Sequence, residues 1–221
     1  MAYRTAFYEA ASLLAKISPV HLYAAYLKRV YLKLHERKES GTYTEDSPAE
    51  ERAEEWLELR RQWAIHIDDD RLPGRRTRGA ISPNFESWLD RRTGFLTFRI
   101  TQFLTGHGCF GTFLFRIGKK VTPICRYCNL AEDSSEHTIV TCNYWGLERG
   151  ELAAVVGQDL SLAAVVGRMC NSREAWSAFS TFAERILRRK EEDERRRQQG
   201  IEDPKIIVGD AAVARGDDLP P

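Results

Sequence analysis

The chain has 221 residues, with 33 basic and 32 acidic side chains and a formal net charge of +1. That length buries a real core in one domain or two small ones, and the even balance gives no global attraction to a polyanion. No apolar run approaches the ~20 residues that span a bilayer and no secretory signal opens the chain, so an intracellular protein, nuclear or cytoplasmic and without a membrane partner, is expected.

Residues 3–17 carry Ala6, Ala10, Leu13, Leu14 and Ile17 on one helical face. Pro19 interrupts that pattern and suits the first turn of a second helix. In it Val20, Tyr23, Leu27, Val30, Tyr31 and Leu34 form one stripe, expected to face inward. Residues 36–47 are polar and read as a loop. Ser47-Pro48-Ala49-Glu50 reads as a capping box opening a third helix, with Trp56, Leu59, Trp63 and Ile67 on its core face.

Asp68, Asp69 and Asp70 follow. Carboxylates in a cluster can hold the metals of phosphoryl transfer. Here they end a helix and enter a Pro/Gly/Arg stretch with no strand–turn–strand pattern around them, so a solvated helix end is expected and no catalytic residue is assigned. Arg71, Arg75, Arg76 and Arg78 make residues 68–81 a basic linker, either merely soluble or able to follow a phosphate backbone. Ser82-Pro83 starts another short helix, with Phe85, Trp88 and Leu89 inward.

Two apolar segments, 95–105 and 109–117, flank Gly106-His107-Gly108, whose glycines permit a sharp turn. His107 could contact nucleic acid, ligate a metal or satisfy a helix end; the last is the reading favoured for a histidine between glycines. Cys125, Cys128, His137 and Cys142 then stand in the order C-x2-C-x8-H-x4-C. The first two sulfurs fit one tight turn, and the other two ligands close the set from the far side of a short loop. Structural zinc takes four such ligands in a tetrahedron, so one structural Zn2+ per chain is expected. Five cysteines, an odd number, speak against a disulfide framework.

Beyond the ligands, LAAVVG occurs at 152–157 and again at 162–167, each block expected to end a helix at its glycine. Ser172 caps a final helix with Trp176, Phe179, Phe182, Ala183, Ile186 and Leu187 inward. After Leu187 the run RRKEEDERRRQQG has no apolar position and reads as a solvent-exposed extension, and the segment from Gly200 reads as disordered. The expected fold is all-α: a helical bundle with one small Cys-Cys-His-Cys loop and a disordered tail. Its parts are a helical region 1–67, a basic linker 68–81, a helical region 82–187 containing the metal module 125–142, and the charged extension and tail 188–221.

Charge is unevenly distributed. From Arg91 to Ala131 there are seven basic residues (Arg91, Arg92, Arg99, Arg116, Lys119, Lys120, Arg126) and no acid. Such a face beside a metal module is the footprint of a phosphate-contacting surface. Arg99, Arg116, Lys119, Lys120, Arg126 and Tyr127 are the candidate RNA or DNA contacts, Arg126 and Tyr127 because they sit inside the first ligand turn, where single-strand readers stack bases. Tyr144 and Trp145, just past Cys142, could do the same; packing is favoured for Trp145.

The run Thr101, Gln102, Leu104, Thr105, Gly106, His107, Gly108, Phe110 and Leu114, followed closely by the Cys-Cys-His-Cys spacing, resembles the C-terminal region of non-LTR (LINE-type) retrotransposon polyproteins, the Jockey-like and insect rDNA-inserting groups above all. Residues 3–26, opening on Tyr3-Arg4-Thr5, more loosely resemble the segment after the polymerase thumb in the same family. The resemblance implies the C-terminal part of a reverse transcriptase, an RNA-directed DNA polymerase, that holds element RNA or target DNA. The family's polymerase aspartates and endonuclease lie upstream of anything in this chain, so catalysis by it alone is not expected. A zinc-stabilised structural or protein-interaction domain is the alternative.

Overall fold

The computed structural model describes residues 7–201. Ten helices follow in order: α1 (Tyr8–Ala15), α2 (Val20–Glu39), α3 (Ser47–Ile67), α4 (Arg75–Ile81), α5 (Phe85–Asp90), α6 (Phe98–Thr105), α7 (Gly111–Arg116), α8 (Gly146–Val156), α9 (Leu162–Asn171) and α10 (Arg173–Gln198). No strand occurs among the described residues; Ile124 and Glu132 form one isolated antiparallel bridge. The all-α expectation therefore holds. Residues 202–221, most of the segment expected to be disordered, and residues 1–6 lie outside the described residues. Among the described residues no helix is long and apolar enough to cross a membrane.

One large core joins α1, the end of α3, α4–α6 and α8–α10. Trp88, Phe103, Phe110 and Phe179 are fully buried within it, each contributing ~1.5–3 kcal/mol relative to exposure. Phe103 meets Phe110, Phe179 and Phe182, which locks α6 against α10. The Trp88 indole N–H donates to the Leu13 carbonyl at 2.8 Å and ties α5 to α1. Ser161 caps α9, and Ser172 caps α10 as its position in the sequence predicts. α9 does not stop at Gly167 but runs on to Asn171. Gly167 serves a close approach: a Cβ there would lie 2.7 Å from Asn84 Oδ1, and Asn84 donates to the Ala163 carbonyl at 2.8 Å.

α2 and α3 form a hairpin with a small core of its own, Tyr26, Val30 and Leu59. Here the predicted stripe holds only in part: Val30 and Leu34 face this core, but its other four members do not. Val20 is 72% and Tyr31 67% exposed, with Tyr23 and Leu27 also outward, while Leu22, Tyr26, Val30 and Leu34 turn inward. The partner decides this. α3 presents Glu51 and Glu55, both buried, so α2 turns Arg29, Lys33 and Arg37 toward them. Leu59, Trp63 and Ile67 are buried as expected, but Trp56 lies off that row, half exposed and edge-on to Tyr26. The capping box is not formed: Ser47 lies within α3, accepting the Thr44 N–H at 2.9 Å, while Glu50 pairs with Arg37.

The basic linker is not one continuous loop. Residues 75–81 are α4, a core helix with Thr77, Ala80 and Ile81 buried. Arg78 is buried too. Its guanidinium donates to the carbonyls of Ile67, Leu72 (2.6 Å) and Pro73 (3.1 Å), clasping the end of α3 to α4.

Candidate metal centre and the surface beside it

The ligand atoms of Cys125, Cys128, His137 and Cys142 all lie within 4.8 Å of one another. Local backbone accounts for the arrangement. The bridge between Ile124 and Glu132 and the Cys125 N–H to Ala131 carbonyl bond (2.8 Å) pinch a tight turn, with Asn129 at φ 57°. Backbone N–H groups of Tyr127 and Cys128 point at the Cys125 sulfur, and that of Tyr144 at Cys142. Such bonds stabilise thiolates. His137–Thr141 form one π-turn, closed by the Cys142 N–H on the His137 carbonyl at 2.8 Å. An i→i+5 turn brings residues five apart onto one side, where an α-turn aligns residues three or four apart. That is how His-x4-Cys reaches a common point.

Distances and donors fit a tetrahedral dication. Zn–S bonds of ~2.3 Å at a tetrahedral angle put sulfurs about 3.8 Å apart, and Cys125 and Cys142 stand 3.8 Å apart. Cys128 Sγ lies 3.2 Å from His137 Nε2. His137 Nδ1 is 2.9 Å from the Thr141 hydroxyl, which fixes the ring with Nε2 toward the sulfurs. The hydrogen bond between Cys125 and Cys142 raises the first thiol's pKa and lowers the second's. A dication would displace the proton they share.

The centre is braced by residues that have no motif. Asp133, fully buried, accepts the Gly111 N–H at 2.9 Å and takes Lys190 of α10 as its ion-pair partner. The Lys190 ammonium also lies 5.3 Å from the Phe110 ring and 5.0 Å from the Tyr127 ring. Tyr127 donates its hydroxyl to Asp193 at 2.8 Å. The segment after Leu187, expected to be wholly solvent-exposed, therefore buries Lys190 and Asp193 against the metal module and buries Glu194 beside Arg197 and Gln198. The charge run concealed this because a lysine that enters a core has the same code as one that does not.

Of the six candidate nucleic-acid contacts, three line one groove, and a fourth, Arg116, stands three positions before the first of them. Arg116 and Lys119 are exposed, and Lys120 and Arg126 are half-buried. Lys119, Lys120 and Arg126 line a groove of about 420 Å³ together with Arg197, which donates to the Lys119 carbonyl at 2.9 Å. Burial lowers the Lys120 pKa, against the pull of Asp133 and Glu194. Burial by itself would raise the Glu194 carboxyl, but Arg197 and Gln198 hold it below its ordinary value.

The other two are elsewhere. Arg99 is gripped by Glu191 (2.6 Å) and approached by Glu184 (3.6 Å), so its charge is met from within the chain. Tyr127 is 3% exposed and offers no face to a base. Arg91, part of the acid-free stretch, lies 3.7 Å over the Trp88 ring and 5.3 Å from that of Trp176. Trp145 is buried against Tyr127, while Tyr144 stays partly exposed. His107 is buried edge-on to Phe113, ring centres 4.7 Å apart, and the end of α6 is taken instead by Gly106 in the left-handed region. Asp69 is held well below the usual carboxylate range by Arg71, Asp70 lies 3.9 Å from Arg75, and Asp68 accepts from Ser82.

Fold and site together define a helical protein built around a three-cysteine, one-histidine centre able to hold a metal ion. Comparison of the chain with family models, curated proteins and solved structures gives no match in any of the three.

Proposed function

We propose that this chain is a noncatalytic nucleic-acid-binding module in which one structural zinc ion, held by Cys125, Cys128, His137 and Cys142, fixes a basic groove against the phosphate backbone of RNA or DNA. The observation that carries the reading is the groove itself: Lys119, Lys120, Arg126 and Arg197 line one surface against the metal module, with Arg116 close by in sequence. With all four ligand positions filled by protein, the ion has no open site for water, which suits a structural role. The resemblance of residues 101–145 to the C-terminal part of non-LTR retrotransposon reverse transcriptases supports the same reading, and on it the chain handles element RNA or target DNA for an RNA-directed DNA polymerase.

Binding to labelled RNA and DNA at two salt concentrations tests it. Affinity is expected to fall steeply with salt, because each phosphate contact releases counterion. Replacing Arg116, Lys119, Lys120 and Arg126 by Ala is expected to abolish binding with helicity retained. Salt-independent binding, or none by the native chain, defeats the proposal.

A second reading, a zinc-stabilised protein-interaction domain, draws on the outward stripe of α2. Retained function in the four-alanine variant would favour it.

A further inference from the structure

A second basic concavity lies beside Arg116, against α1. Its volume is about 180 Å³, and Arg75, Arg76 and Arg116 line it with Thr105 and His107. No carboxylate is among its described lining residues. Phe7 and Ala10, at the start of α1, complete the lining with apolar contact. It is smaller than the ~300 Å³ at which pockets for drug-sized molecules begin, a size that suits a single oxyanion better than a whole nucleoside.

The chain builds this concavity at some cost in sequence freedom. Gly106 has φ 68°, and a Cβ there would fall 1.6 Å from Arg76 Nη1. Only glycine lets the guanidinium lie across that turn. Arg76 is held there by its Nε bond to Glu136 Oε1 at 2.5 Å. Arg75 reaches only a loose contact with Asp70, 3.9 Å away, with both side chains more than four-fifths exposed. An exposed pair of that kind holds its arginine weakly. A preset Arg76, an easily recruited Arg75 and an exposed Arg116 offer planar forks suited to the oxygens of a phosphate.

We infer that this concavity is a binding site for a terminal phosphate group, the monoester at the end of a nucleic-acid strand whose backbone continues into the neighbouring groove. The inference rests on the nucleic-acid reading of that groove. Sequence continuity supports the path: Arg116 lines the concavity and Gly118, Lys119 and Lys120 line the groove. A strand that ends under α1 would pass the end of α7 and enter the groove.

The experiment compares fluorescence anisotropy of one short single strand carrying a 5′-phosphate, a 3′-phosphate or hydroxyls at both ends. It uses the zinc-loaded full chain, the Arg75→Gln variant and the Arg75→Gln/Arg76→Gln variant, with helicity and zinc content checked for each. One terminal phosphate is expected to tighten binding by the native chain about tenfold, the scale of a charge-assisted contact. Inorganic phosphate at millimolar concentration is expected to erase that advantage. Arg75→Gln is expected to reduce it and the double variant to remove it, with binding of the hydroxyl-ended strand unchanged in both. Equal binding of all three strands by the native chain, or an advantage that survives in the double variant, overturns the site. If no strand binds, yet inorganic phosphate shifts the guanidinium NMR signals of Arg75 and Arg76, the nucleic-acid reading fails while the concavity stands as a site for free phosphate, and the strand-end proposal is overturned. If no strand binds and phosphate shifts nothing, both fall.

Discussion

The α2–α3 hairpin and the metal module both draw carboxylates out of water, by opposite means. In the hairpin, Glu51 and Glu55 are shared among Arg29, Lys33 and Arg37, whose side chains remain 28–36% exposed. The charges form a ladder in which each partner can be replaced by another or by water. In the module, one carboxylate, Asp133, meets one ammonium, Lys190, and both are sealed beneath Phe110 and Tyr127. A ladder loses stability in increments, whereas a sealed pair is lost as a unit, because breaking it strands a buried charge.

Metal removal should separate the two regions most widely. Ligation of structural zinc is worth ~10–16 kcal/mol in small modules, so chelation or Cys128→Ser is expected to unfold 110–145 and release the end of α10. Hydrogen exchange should show that loss while the hairpin around Tyr26 and Leu59 stays protected. Equal loss in both regions would mean that they fold as one unit. Next in size is Lys190→Met, which leaves Asp133 buried without a partner and is expected to cost ~3–5 kcal/mol in denaturant unfolding. Glu55→Gln in the hairpin should cost less, about 1–2 kcal/mol, because its partners are partly solvated and have other acids in reach.

Acid sharpens the same contrast. Burial would raise the Glu55 carboxyl, but Arg29 and Lys33 hold it below its ordinary value, and Arg61 and Gln62 hold Glu58 down at about 2. A carboxylate depressed on folding contributes stability that is complete above the unfolded value, ~4.3 for Glu, and is lost as pH falls through the folded one. Exchange protection in the hairpin is therefore expected to decline between pH ~4.3 and about 2. The smallest expected effect is that of Tyr31→Ser on the outward face, within about 0.5 kcal/mol of the native chain.

How far the sequence is legible follows the range of the interactions. The clustering of Cys125, Cys128, His137 and Cys142 was readable because a two-residue spacing and a single π-turn determine it locally. Leu59, Trp63 and Ile67 were readable because a four-residue rhythm of large apolar side chains has few other uses. The face of α2 was legible only in part: Val30 and Leu34 turn inward as expected, but Val20, Tyr23, Leu27 and Tyr31 lie outward, and the choice was made by glutamates on a different helix. Residues 75–81 passed for a linker because arginine and glycine seldom build core helices, and the three carbonyls that engage Arg78 are known only once the chain is folded. Tyr127 was assigned to nucleic-acid contact because of its place in the cysteine turn, yet Asp193, sixty-six positions away, claims its hydroxyl.

The burial of Lys190 bears on how the polypeptide can be shortened. Within α10 the apolar residues stop at Leu187, and an engineer trimming a charged, hydrophilic-looking end would cut there. That cut removes the counter-ion of Asp133, uncovers two aromatic rings and takes away one wall of the groove at Arg197. The minimal autonomous unit thus extends at least to Glu194, and a shorter version should bind its ion more weakly even with every ligand in place.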